Sequence, residues 1–195
     1  MYTEEELIKI SKDHDFKGII VAVENDPENI VEIFNIFLNY NYEIEAEQVK
    51  EFINRGLDIN RVYDDIGFDE SPASFMISCC QFYNLVGLEA ILANHPEYPT
   101  EEGISLENNM FDVLFASYLE AAESINDLEY GIELIQKYGD HPKILTERTV
   151  YHFRDGIDGE TEFITNFINS CTLTYHDHGE QGADDEGEGD ESRNY

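Results

Sequence analysis

The chain has 195 residues, 42% of them hydrophobic, with 12 Phe and 12 Tyr, enough apolar mass for one folded domain without disulfide or metal staples. Its 43 acids against 11 Lys and Arg leave a formal charge of −32. That excess argues against direct contact with nucleic acid or an anionic membrane, both polyanions, and calls for a basic partner surface.

Helix signals dominate the chain in order. Thr3 with Glu6 three residues on has capping-box spacing and opens a helix to Lys12. Asp15 to Glu24 is β-branched and reads equally as strand or helix. Asp26-Pro27 starts a helix whose body, Ile30 to Tyr40, is almost wholly apolar and therefore buried. Ala46 to Arg55 follows, with Gly56 as its left-handed C-cap. Ser71-Pro72 opens the next helix through SFMISCCQFY, and Asn84 caps a further one that His95-Pro96 stops. Asn108 or Asn109 opens a helix through MFDVLFASYLEAAESI, and Asp127 caps another that closes at Gly139 and Pro142. Ile144 to Arg154 is again ambiguous, and Glu160 to Cys171 returns to helix.

The three richest apolar helices begin at residues 31, 71 and 111, forty residues apart. Helix pairs at a fixed period of about 40 predict an all-α stack, an α-solenoid, with room for a short β element. Residues 1–172 form the helical repeat domain on this reading. Residues 173–195 form a Gly-rich acidic tail that is disordered when free.

FINRGLDIN, running into SPASFMISCC, resembles the joint between two ankyrin repeats. Gly56, Asp58 and Asn60 match that family's Gly-x-Asp-x-Asn run, and Ser71 and Pro72 match its helix opening. Ala73 and Ser74 stand where the family has Leu and His. The resemblance implies protein binding through loop tips and a concave helix face, and no shared catalytic residues.

Chemistry is not signalled. Cys79, Cys80 and Cys171 are odd in number and sit in apolar helices, so they read as reduced thiols in the core. The N-terminus is acidic without an apolar signal region, and the longest apolar run, Gly18 to Val23, is too short to span a bilayer; a cytoplasmic protein is expected. His176, Asp177 and His178 lack the further ligands of a zinc site, and the acidic runs from Asp155 and Asp184 miss calcium-loop positions. No metal or cofactor is expected, and no GxSxG, P-loop, GxGxxG or HExxH is present. A non-enzymatic protein follows.

The most specific signal is an absence of positive charge. From Val62 to Gln136 there are 15 acids and no Lys or Arg, although both flanks carry bases such as Arg61 and Lys137. Two inter-helix loops concentrate these acids: Asp64, Asp65, Asp69 and Glu70 in one, and Glu97, Glu101, Glu102 and Glu107 in the other. Tyr63, Phe68 and Tyr98 stand among them as aromatic anchors of the kind tight interfaces use. In a stack of helix pairs alternate loops emerge at opposite ends, so the two loops need not form one patch. The expectation is an inhibitor or immunity-type protein, toxin-neutralising or a phage anti-defence factor. It would block a basic nucleic-acid-binding surface, such as a nuclease's, by imitating nucleic-acid charge. The alternative is an ankyrin-like scaffold whose acidity serves solubility.

Overall fold

The computed structural model describes residues 2–97, 109–121, 124–157 and 159–174. Helices dominate these residues, beginning with α1 (Glu4–Lys12) and the expected capping box. Thr3 Oγ1 accepts from Glu6 N at 3.3 Å, and the Glu6 carboxylate accepts from Thr3 N at 2.9 Å. The ambiguous segment after it is a helix, α2 (Phe16–Asn25), because Asp15 caps it through Gly18 N at 3.1 Å. Ile19, Ala22 and Val23 then share its buried face at helical spacing. Pro27 opens a single 3-10 turn that runs into α3 (Ile30–Tyr40), where six of the eleven residues are buried.

α4 (Ala46–Asn54) ends as its sequence demands. Gly56 lies at φ +101°, and Leu57 N reaches back to Phe52 O at 3.1 Å while Gly56 N reaches Ile53 O at 3.0 Å. This is a Schellman closure, which satisfies two carbonyls that the helix leaves open.

Two helix starts differ from expectation. α5 (Phe75–Gln81) begins after Ser74, not at Ser71-Pro72. Ala73 exchanges both backbone hydrogen bonds with Tyr63, at 2.9 and 3.0 Å, which holds this segment extended. Ser74 therefore caps, its Oγ accepting from Ile77 N at 3.3 Å. α8 (Ile125–Tyr138) is capped by Ser124, and Asp127 is the third helical residue that returns the bond to Ser124 N at 3.1 Å. Between them, α6 (Leu85–Leu92) is capped by Asn84 as expected, and α7 (Met110–Ala121) by Asn109, which accepts from Phe111 N at 3.0 Å.

The second ambiguous segment divides. β1 (Ile144–Thr146) is followed by α9 (Glu147–Gly156), then α10 (Glu162–Ser170) and β2 (Thr172–Thr174). The strands pair in parallel, Ile144 opposite Thr172 and Thr146 opposite Thr174. Leu173 and Thr174, assigned above to the tail, thus belong to a strand; residues 175–195, with His176 and His178, lie outside the described residues.

The core is a chain of aromatic contacts. Phe34 meets Phe52 at 4.7 Å and Phe75 edge-on at 4.8 Å, joining α3, α4 and α5. Phe115 meets Phe153 at 5.0 Å and Phe167 at 5.9 Å, joining α7, α9 and α10. Each fully buried Phe contributes on the order of 2–3 kcal/mol through burial alone. Between these clusters α5 packs on α6 and α7, α7 on α9, α4 on α6 and α6 on α8.

Two inter-helix turns share one construction. After α1, His14 lies at φ 54° and Asp15 N closes on Ile10 O; after α5, Tyr83 lies at φ 55° and Asn84 N closes on Cys79 O. In each the next residue but two is a glycine, Gly18 or Gly87, whose N–H donates to the capping side chain. A Cβ on Gly87 would come within 2.7 Å of both Asn84 Nδ2 and Leu38 Cδ1, so that close approach requires glycine. No helix among the described residues is long and apolar enough to cross a membrane.

Candidate functional site

The loop from Asp58 to Ser74 is built as a strap along α5. It starts with an Asx turn, Asn60 N on Asp58 Oδ1 at 3.0 Å, and Tyr63 Oη donates back to Asp58 O at 2.9 Å. Tyr63 is half-buried on Phe75 at 5.4 Å, with the Arg61 guanidinium 5.4 Å from its ring centre; burial pushes its phenol up. The bridge to Ala73 follows. The chain then runs down α5: Ile66 is buried and its carbonyl accepts from Ser78 Oγ at 2.8 Å, and Phe68 N donates to Gln81 Oε1 at 3.0 Å. Gly67 N on Ser71 O at 2.8 Å closes the tip. Asp65 and Asp69 take left-handed φ of 65° and 51°, a conformation Asp tolerates better than most residues.

These anchors fix what faces outward. Asp64, Asp65 and Asp69 are exposed, and Phe68 is 51% exposed with its ring 6.3 Å from Phe82, itself 47% exposed. The second loop is tied to the first, because Glu97 N donates to Asn60 Oδ1 at 2.7 Å. That bond places Glu97 beside the strap's base. Tyr98, Glu101, Glu102 and Glu107 lie outside the described residues, and Glu70 is described in its backbone alone.

The acids of the base-free window divide by what they touch. Glu89 accepts from Lys137 Nζ at 3.1 Å and Tyr130 Oη at 2.9 Å, and the lysine's hydrogen bond holds its carboxyl below the usual range. Asp112 accepts from Thr146 N at 2.7 Å, Asp127 accepts from Ser124 N to complete the α8 capping box, and Glu129 takes the Thr161 hydroxyl. The side chains of Asp64, Asp65, Asp69 and Glu97 enter none of the ion pairs or hydrogen bonds among the described residues. Structural acids and unengaged acids are therefore separate sets: the unengaged ones of the strap lie within four positions of Phe68 in the chain, and Glu133 on α8 is likewise exposed and unengaged.

A groove continues from Phe82, unforeseen in the sequence. It holds about 470 Å³, and its eight lining residues are Asn39, Tyr42, the run Phe82 to Val86, and Asp127. Tyr42 is 73% exposed and Val86 46%. Each sits at or beside an inter-helix turn, where helical phase turns an apolar side chain outward.

Cys79 and Cys80 lie in the core as expected, whereas Cys171 is half-buried at the end of α10. Cys79 and Cys80 are fully enclosed and burial pushes both thiols up, Cys80 to about 12; Cys171 rises to about 11 for the same reason. Among the described residues no three His, Cys, Asp or Glu gather in a metal-holding group. Asp155 lies in the last turn of α9, and Glu160 is held by Arg154 Nε at 2.6 Å. Comparison with protein-family models, with curated proteins and with solved structures finds no match to the chain.

Proposed function

We propose that this chain is a non-enzymatic acidic binding module that covers a basic, nucleic-acid-binding surface on a partner protein. It would act as an inhibitor of the immunity or anti-defence kind. The observation carrying this reading is the sorting of acids. In the strap, Asp64, Asp65 and Asp69 are exposed, as is Phe68 in the same loop, and serve no internal bond among the described residues, whereas Glu89, Asp112, Asp127 and Glu129 are engaged by the fold. Holding like charges together without a counter-ion costs stability, and a cationic partner offsets that cost. A partner surface evolved for phosphates presents Lys and Arg at the right density for such a face.

The test uses the partner recovered from host extract at low salt, purified, and then challenged with a 20-base-pair duplex. The reading predicts mutual exclusion: the duplex displaces this chain, and Asp64→Lys with Asp65→Lys and Asp69→Lys weakens the complex by at least about tenfold. Simultaneous binding of both, or an undiminished charge-reversed variant, contradicts it.

A scaffold reading has its own support. The pairwise packing of α4, α6 and α8, and of α5, α7 and α9, with two turns of one construction, favours a stacked helical repeat of the ankyrin-like kind. On that reading the acids serve solubility, and the same charge-reversed variant keeps its partner.

A further inference from the structure

The groove beside Phe82 has a composition that suits one ligand chemistry. Its walls are the exposed faces of Tyr42 and Phe82, with Tyr83 and Val86 forming the rest of the apolar surface. Its polar rim holds the amides of Asn39 and Asn84 and the carboxylate of Asp127, which also accepts from Ser124, and no Lys or Arg among the described residues lines it. Phe68 extends the aromatic surface through Phe82, which carries it to the acids of the strap. Exposed apolar side chains gathered in this way mark an interaction site more often than an accident of packing. A purely apolar occupant would bring nothing to meet Asp127 or the neighbouring Asp69.

We infer that this groove takes an arginine side chain of the basic partner, its guanidinium lying against the Tyr42 and Phe82 rings with its N–H groups directed to the rim. This rests on the proposed acidic-module reading and names the anchor within it. Charge complementarity selects the occupant: no Lys or Arg occurs from residue 62 to 136, the span supplying six of the eight lining residues. Arginine fits better than lysine because its planar, weakly hydrated head stacks on ring faces while its fork still donates hydrogen bonds sideways. The long-range attraction would come from the strap acids, and the discrimination from the groove.

The experiment is a heteronuclear NMR titration of the full chain with two probes, acetyl-hexa-arginine amide and acetyl-hexa-lysine amide, at low ionic strength. The inference expects hexa-arginine to move the backbone amides of Tyr42, Phe82 and Val86 and to bind roughly three- to tenfold more tightly than hexa-lysine. Tyr42→Ala is the cleanest variant, since the ring is 73% exposed and its loss leaves the core intact. It should bring the two affinities together while both peptides still bind; Phe82→Ala should do the same. Equal affinity for both peptides in the unaltered chain, with shifts confined to residues 58–71, overturns the groove assignment and leaves the acidic face standing. Binding of neither peptide overturns the acidic face as well. Concentration-dependent shifts at Phe82 and Val86 without any peptide would assign the groove to a second copy and also overturn the inference.

Discussion

Asn84 carries three bonds at one position. Its Oδ1 accepts from Gly87 N at 2.9 Å, its Nδ2 donates to Leu38 O at 2.8 Å, and its backbone N–H closes α5 on Cys79 O at 2.8 Å. Replacing it by Ala removes a cap and leaves a carbonyl of α3 short of its donor. We expect Asn84→Ala to cost about 2–3 kcal/mol in urea unfolding. Glu160 gives a pH-dependent case. The Arg154 hydrogen bond lowers its carboxyl pKa in the fold, so the stability it lends is present above the unfolded value near 4.3 and is lost as pH falls through the lower folded value. The stability gap between the native chain and Glu160→Gln should therefore be full at pH 7 and shrink below about pH 4. The thiols test burial directly. With Cys79 and Cys80 pushed up, iodoacetamide at pH 8 should leave both intact until the chain unfolds.

At the scale of elements, α5 shows what local sequence can and cannot say. Ser71-Pro72 is a strong opening signal, yet the backbone pairing of Tyr63 with Ala73 overrides it and moves the cap to Ser74. Ser74→Ala should then cost about 1 kcal/mol, while Ser71→Ala should stay within about 0.5 kcal/mol. Caps with one candidate, Thr3 and Gly56, were legible because the chemistry is complete within four residues. Ser124 and Asp127 were confused because both ends of a capping box are polar. The parallel strands were not legible: three residues are too few for alternation, and the partner lies 28 positions away. The acids and aromatics of the strap were found by their crowding in sequence. The groove is not legible in the sequence because Tyr42 comes from the turn after α3, Phe82 and Val86 from the turn between α5 and α6, and they meet only in the fold. The repeated turn was missed too, since Asp15-Phe16-Lys17-Gly18 and Asn84-Leu85-Val86-Gly87 share only their glycine.

Across the whole molecule, four of the 11 Lys and Arg are in ion pairs among the described residues, Lys50 with Glu47 being one. Arg55 is shared between Glu51 and Glu24, Lys137 is held by Glu89 and Arg154 by Glu160, all at the molecule's own surface. Such exposed pairs stabilise little; within the strap the one base, Arg61, lies over the Tyr63 ring, and Asp64, Asp65 and Asp69 enter no ion pair among the described residues. An acidic face of that kind attracts at a distance that salt shortens, from about 30 Å at 0.01 M to about 8 Å at 0.15 M. The measurement that bears most directly on the account is the salt dependence of affinity for the purified basic partner. It should be compared between the native chain and a variant carrying Asp64→Asn, Asp65→Asn and Asp69→Asn. The account predicts an affinity that falls steeply as salt rises, and a shallower slope in the variant. A slope near zero in the native chain, or one the three substitutions leave unchanged, would contradict it.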